Sequence, residues 1–393
     1  MTRRGRSCGT ANSIPCRGSV WDYSQDTMAV LMFRMISRSL LCTEHRGLHL
    51  TGVRYLLTNH ALKFDSFMEK KRSTTHYFQK NKGVYFETIQ MKLQNSEAIS
   101  EKDLKPMFYL CETESDVQLT KTCLLRYYEE AQTVEYKFGP LFLRLCHLLD
   151  LVDTAFEVMM DKSFRGVFSD YSSYNILLDM LYKHGQYERA LEVLLKMKIQ
   201  WLRLSKDTYL LAFAICYKLN NPRSLETCTT LFEEAAMNGI IHTRLALCFV
   251  VALALKQGDC VTASSVYNRI VKKDLSLCCN LGLLLAAKFK GEEEVLQILE
   301  TASEQPKFDF LWKVTFSKEV MDAVEEKLHP TVSFEKFKEI YEKLSQSGQI
   351  STLTLDEMLH AISEEQNSAA DLLQRKSYRS REMQKEVAAL NSM

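Results

Sequence analysis

SYNILLDMLYKHGQYERALEVLLKMK, residues 173 to 198, is the stretch from which the rest of the chain can be read. Tyr174, Leu177, Leu178 and Leu181 fall at i, i+3, i+4 and i+7, the spacing that places apolar side chains on one face of a helix. Lys183-His184-Gly185 then ends that helix, since glycine enters the left-handed turn without steric cost. A second helix starts near Tyr187. It sets Ala190, Leu191, Leu194 and Met197 on one side and Glu188, Arg189, Glu192 and Lys196 on the other. The unit is a pair of antiparallel helices, each with an apolar face to hide.

Working outward, the turn recurs. Ser115, Asp150, Gly185 and Asn220 stand 35 residues apart, and Gly258 and Gly291 continue the frame at steps of 38 and 33. All are residues that tolerate tight turns, and apolar helical patterns flank them. A small residue returns at Ala155, Ala190 and Ala263, five after each turn, where two helices must approach closely. In the unit with the longer step, Asn221 can cap and Pro222 can fill the first turn of the second helix, so the extra residues are absorbed as loop. One helix pair of about 35 residues cannot bury both faces alone, but a stack of five or six makes a continuous core. The expected fold is all-α, an α-solenoid of stacked helix-turn-helix repeats. The repeats span about 97 to 305, after a helical extension at 55 to 96. Helices at 316 to 329, 333 to 346 and 354 to 362, within 306 to 370, are expected to cap the far end, and 371 to 393 reads as a solvated, flexible basic tail.

Composition agrees with helix. Fourteen glycines and six prolines in 393 residues are too few turn formers for a sandwich or barrel of many short strands. Hydrophobic residues at 46% and charged residues at 25% make a foldable chain. Fifty basic against forty-nine acidic residues leave no whole-molecule field, so attraction to nucleic acid has to come from local rows of charge. The 12 cysteines lie mostly within apolar helical runs, as Cys146, Cys216 and Cys248 do, and no C-x-x-C pair occurs. They read as small buried hydrophobes in a reducing compartment, not as disulfides or zinc ligands.

Residues 28 to 54, MAVLMFRMISRSLLCTEHRGLHLTGVR, alternate apolar residues with Arg34, Arg38, Arg46 and Arg54 around a single acid, Glu44. That is a transit-peptide composition, so 1 to 54 is expected to be a mitochondrial presequence and leader. The longest apolar run, Leu245 to Leu255 between Arg244 and Lys256, is about half of what spans a bilayer, and no transmembrane segment is expected.

Period alone does not separate the pentatricopeptide repeat from the tetratricopeptide repeat of about 34 residues, which usually binds peptides. The residues do: residues 173 to 198 resemble the pentatricopeptide consensus, with Tyr174-Asn175 opening the first helix, Gly185 at the turn and Ala190 in the second helix, and the tetratricopeptide Trp-Leu-Gly-Tyr arrangement is missing. The stretches RYLLT at 54 to 58, EYKFGPLFLRLC at 135 to 146, FSDYSSYNILLDML at 168 to 181 and KDTYLLAFAICYKLN at 206 to 220 resemble vertebrate mitochondrial members of that family over nearly all the chain after the leader. The resemblance implies a mitochondrial-matrix protein needed for maturation of messenger RNA and so for respiratory-chain assembly.

Within that family one base is read per repeat by a side chain on the first helix and another at the repeat's end. These positions fall on Asn175 and Ser205, a polar pair that in plant relatives favours a pyrimidine; the other reading of Asn175 is that its amide caps or brackets neighbouring repeats. The preceding unit ends at Asp170 but offers Pro140 as first reader, and the following unit offers Leu210, so the code is interrupted. Lys183, Lys218 and Lys256 recur two residues before the turn, with Lys288 close to that point in the next unit. Stacking would align them as a ladder for backbone phosphates, giving affinity without sequence preference; a lysine there also complements the negative end of its own helix. Lys70, Lys71, Arg72, Lys80 and Lys82, interleaved with Tyr77, Phe78, Tyr85 and Phe86, extend the track or form a solvated face. The acids after residue 305 come as adjacent pairs, Glu325-Glu326 and Glu364-Glu365, and do not converge as a metal-dependent nuclease requires. His147, His184 and His242 have no spaced ligand partners, and no phosphate-cradling glycine loop is present. The expectation is no catalysis, no cofactor and no metal. Single-stranded mitochondrial RNA is the expected partner, with RNA-processing nucleases or ribosomal proteins as further partners. The rival reading is a scaffold that binds proteins of a mitochondrial ribosome or RNA-processing complex.

Overall fold

The computed structural model describes residues 56–130, 136–304, 313–329 and 331–361; the expected leader and basic tail lie outside them. Helices α1 (Phe64–Tyr77) and α2 (Lys82–Gln94) precede a run of helix pairs, each with a first helix A and a second helix B. The pairs are α3 (Glu101–Leu110) with α4 (Glu114–Glu130), α5 (Gly139–Leu148) with α6 (Val152–Met160), and α7 (Tyr171–Lys183) with α8 (Tyr187–Ile199). Next come α9 (Lys206–Leu219) with α10 (Pro222–Met237), α11 (Arg244–Gln257) with α12 (Cys260–Asn268), and α13 (Ser276–Leu285) with α14 (Glu292–Ser303). Helices α15 (Lys318–Leu328), α16 (Phe334–Gln346) and α17 (Leu355–His360) follow, with a two-residue parallel pair, β1 (Phe316–Ser317) and β2 (Ile350–Ser351).

Local chemistry sets these boundaries. Ser100, Ser205, Asn221 and Thr354 each form reciprocal capping boxes, and Asp170, Thr243 and Asp259 accept from backbone N–H groups of the first turn. Asn221 and Pro222 occupy the cap and first turn of α10, as their order in the sequence predicts. The A-to-B turns use Asp150, Gly185, Asn220 and Gly258, all with φ between 44° and 75°. Ser115 is different. It lies within the first turn of α4, and the turn of that unit is Cys111 to Thr113. A small polar residue serves a helix start as readily as a tight turn, so the 35-residue frame is right in period and wrong in element at this member.

Successive A helices pack against each other from α3 to α13, and from α6 onward each B helix also packs against the next A helix. The bonds that cross between units carry the period directly. His184 meets Asp150 and Arg189 meets Asp153, 34 and 36 residues apart; Lys196 reaches the Met159 carbonyl and Lys198 reaches Glu234, 37 and 36 apart. Gln257 bonds the Asn220 carbonyl 37 residues back. Ala155, Ala190 and Ala263 are fully buried where the paired helices meet.

The A helices form the innermost layer. Residues 173–182 of α7, 208–217 of α9 and 246–255 of α11 are buried without a break, which their nearly uninterrupted apolar character requires. One apolar cluster runs from Leu57 to Leu285, and a second joins α14, α15 and α16 through Leu299, Phe316, Val324, Phe337 and Leu344. The described cysteines are free thiols, buried apart from the half-exposed Cys260 and Cys279.

Candidate nucleic-acid interface

Because the A helices are buried along their middles, side chains reach a ligand only from their ends. Lys183, Lys218 and Lys256 sit at the carboxyl ends of α7, α9 and α11, and Lys288 lies in the π-helical turn Ala286–Lys290 that prolongs α13. Since these helices pack in order, the four lysines occupy like places on consecutive units, roughly one helix spacing of 8–10 Å apart. The fixed carbonyl dipoles of each helix end hold a cation there.

Each lysine also has a contact within the chain. Lys183 pairs with the buried Asp179 one turn earlier and lies 2.9 Å from His147 Nε2 on α5. Lys256 rests over the Tyr217 ring of α9, 3.9 Å from its centroid, and Lys288 donates to the Leu255 carbonyl of α11 at 3.0 Å. Three of the four thus reach back to the preceding A helix and tie the stack together. Lys218 is the exception. Its ammonium donates to both oxygens of Asp356 on α17, at 2.8 and 2.9 Å. Burial pulls the Lys256 ammonium below its ordinary value; Asp356 opposes that and Lys218 adds to it, so the three charges form one local field. Lys256 and Lys288 are exposed, Lys183 and Lys218 half-buried.

The base-reading candidates are placed differently. Asn175 and Ser205 do meet across two repeats, but they meet each other: Asn175 Nδ2 donates to Ser205 Oγ at 3.1 Å and its Oδ1 accepts from Thr208 at 2.7 Å. Asn175 is 4% exposed, so its amide is spent on the repeat junction and is not presented to a groove. Asp170 is the N-cap of α7, accepting from the Ser172 and Ser173 amides and the Ser173 hydroxyl at 3.1, 3.4 and 2.8 Å. Asn280 holds the place in α13 that Asn175 holds in α7. It binds the chain's own backbone, donating to Thr315 O and accepting from Ser317 N at 2.8 Å each.

In the basic cluster near the amino end, Lys71 caps the carboxyl end of α3 through the Tyr109 and Cys111 carbonyls at 2.9 and 2.8 Å, and Lys82 pairs with Glu112 at 2.7 Å. At the opposite rim from the lysine row, a pocket of about 440 Å³ opens between α10, α11 and the end of α12, lined by Phe232, His242, Arg244, Arg269 and Lys272 among others. His242 stacks on Phe232, and burial, helped by Arg269, lowers its pKa. That pocket has no signal in the spacing of the sequence, because its residues come from three elements. Among the described residues no group of three or more His, Cys, Asp or Glu is placed to hold a metal ion, and no helix is long and apolar enough to cross a membrane.

The family model described as mitochondrial 28S ribosomal protein S27 matches residues 32–238. Proteins named mitochondrial pentatricopeptide repeat-containing protein 2 are similar over most of the chain. The relative from Xenopus laevis is 43% identical over 332 residues, 84% of this chain and 86% of its own, and that from Mus musculus 42% over 335, 84% and 88%. The Homo sapiens relative is 42% identical over 310 residues, 78% of this chain and 80% of its own. Among solved structures, a pentatricopeptide repeat protein from maize aligns with a TM-score of 0.41 at 12% identity, over 84% of this chain and 45% of the maize chain.

Proposed function

The chain belongs to the family of the mitochondrial pentatricopeptide repeat-containing protein 2 relatives, and from that premise we propose that it is a non-catalytic RNA-binding protein of the mitochondrial matrix. In this reading it supports maturation of mitochondrial messenger RNA and, through it, respiratory-chain assembly. The observation that carries the proposal is the placement of Lys183, Lys218, Lys256 and Lys288 at like ends of consecutive A helices. A row of cations at regular spacing neutralises successive phosphates of a single strand and releases their counterions, which gives affinity with little preference for base. Base reading by Asn175, Ser205 and Asp170 enters only as a second step, because Asn175 and Ser205 are engaged with each other across the repeat junction, Asp170 caps α7, and these polar atoms must first be released.

The test is a salt titration of a single-stranded mitochondrial transcript fragment against the wild-type chain and the double variant Lys256→Gln with Lys288→Gln. These two lysines are exposed, so their loss should cost the fold less than loss of Lys183 with its buried Asp179 partner, and the fold of the variant is checked by its helical circular dichroism. Affinity should fall steeply with salt, and the slope of log affinity against log salt should decrease by about 0.7 for each phosphate contact removed. An unchanged slope would reject the row as the binding surface.

A second reading is favoured by the family-model match over residues 32–238: a scaffold that takes a place on a mitochondrial ribosome or RNA-processing complex. It predicts weak, salt-indifferent RNA binding beside a stable protein complex.

A further inference from the structure

After α16 the chain turns back. Thr354 caps α17, whose Leu355, Met358, Leu359 and His360 are buried. Leu355 and Leu359 join the apolar cluster of the repeats and not the cluster that holds α15 and α16. The His360 ring bonds the Tyr182 hydroxyl of α7 and meets Phe249 of α11 edge-on at 5.6 Å, while Asp356 pairs with Lys218 of α9. One helix of six residues therefore touches four consecutive A helices, α7, α9, α11 and α13, at the end that carries the lysine row. Burial alone would raise the Asp356 carboxyl, but Lys218 first, then His360 and Lys256, outweigh it and hold it below the ordinary carboxylate range.

We propose that α17 is a latch on the lysine row, with the Asp356 carboxylate standing where a strand phosphate would bind between Lys218 and Lys256, so that RNA and α17 exclude one another. The proposal rests on the RNA-binding reading above and adds its regulation. A carboxylate and a phosphate ester offer the same chemistry to an ammonium, an anionic oxygen pair that accepts its N–H donors. The latch opens against the burial of Leu355, Met358, Leu359 and His360, which the phosphate contacts of an arriving strand must offset. Six residues are too short to hold a helix once undocked, and the Asp356 side chain is 44% exposed, so its pair with Lys218 is a weak, solvent-screened one. Lys288, exposed at one end of the row and bonded to the Leu255 carbonyl instead of to α17, remains where an arriving strand can start.

The experiment uses the full chain and a mixed-sequence single-stranded RNA oligomer at near-physiological salt. Wild type is compared with Asp356→Asn, Asp356→Arg and Glu188→Arg, the last giving the same charge change on the exposed face of α8. Freeing Lys218 and Lys256 for two phosphates should raise affinity about tenfold. Asp356→Arg should exceed Glu188→Arg by that margin, with a smaller gain for Asp356→Asn. In wild type, which needs no substitution, adding RNA should speed amide exchange across residues 354–361. RNA binding equal in Asp356→Arg and Glu188→Arg, with 354–361 as protected as before, overturns the latch and leaves the RNA reading standing. No RNA binding by any of the four proteins overturns the RNA reading and the latch with it.

Discussion

Replacing Asn175 with alanine removes both hydrogen bonds that cross from α7 to the start of α9, to Ser205 Oγ at 3.1 Å and from Thr208 Oγ1 at 2.7 Å. A buried hydrogen bond contributes about 1 kcal/mol net, so the pair stabilises the junction by about 2 kcal/mol. The cost stays near that figure because the partners are not orphaned. Ser205 Oγ still accepts from the Thr208 amide at 3.1 Å, and Thr208 Oγ1 still accepts from the Ser205 amide at 3.1 Å. The effect should be local, since in a stacked array each unit contacts only its neighbours and a global midpoint blurs one junction. Native-state hydrogen exchange resolves it. Amides in the first turns of α9 should exchange about 30-fold faster in Asn175→Ala than in wild type, and those of α13 should be unaffected. Exchange unchanged at α9 would refute the assignment of Asn175 to the junction and return its amide to the pool of groups free to meet a base.

Gly139→Ala places a methyl 2.7 Å from the Val167 carbonyl and 2.9 Å from Phe168 Cδ1, so overpacking should destabilise by about 1–3 kcal/mol in chemical denaturation, while Gly83→Ala in open space should not. Lys183→Met leaves the buried Asp179 carboxylate without its ammonium, and a cost of about 3–5 kcal/mol is expected, read as a lower denaturation midpoint; Lys256→Met on the exposed rim should cost far less. The His242 ring has a folded-state pKa below its ordinary 6.5, so its neutral form belongs to the native state. That contribution is complete above pH 6.5 and is lost as pH falls through 6.5 towards the folded value. Wild type should therefore lose stability on acidification in that window, and His242→Phe should flatten the loss; an identical pH profile in the variant would reject the assignment.

The repeat could be read from the sequence because its signals are local. Apolar spacing, a turn residue and a small residue in the second helix lie within one stretch of about 35 residues, and the structure turns Asp150, Gly185, Asn220 and Gly258 as that pattern requires. Ser115 shows the limit: small polar residues suit both a turn and a helix start, and the period cannot choose. Spacing pairs Asn175 with Ser205 as readers of one base, or leaves the Asn175 amide to bracket neighbouring repeats, and does not place the two side chains in contact. What spacing cannot show is saturation, that each would be satisfied by the other and by Thr208. The landing of α17 was hidden altogether. Its helical pattern reads as an end cap, yet Asp356 pairs with a lysine 138 residues away, and only packing decides which face so short a helix covers.

In the proposed binding mode, consecutive units present like-placed cations along one line that a single strand follows. A photoreactive residue placed singly at the exposed positions 184, 256 or 288, and as a control at 188 on the outer face of α8, tests this by mapping its crosslinks to one bound RNA. Crosslinks from 184, 256 and 288 to successive positions along the strand, in chain order, and none from 188, are expected. Crosslinks from 188, or from the three row positions in no consistent order, would contradict that binding mode.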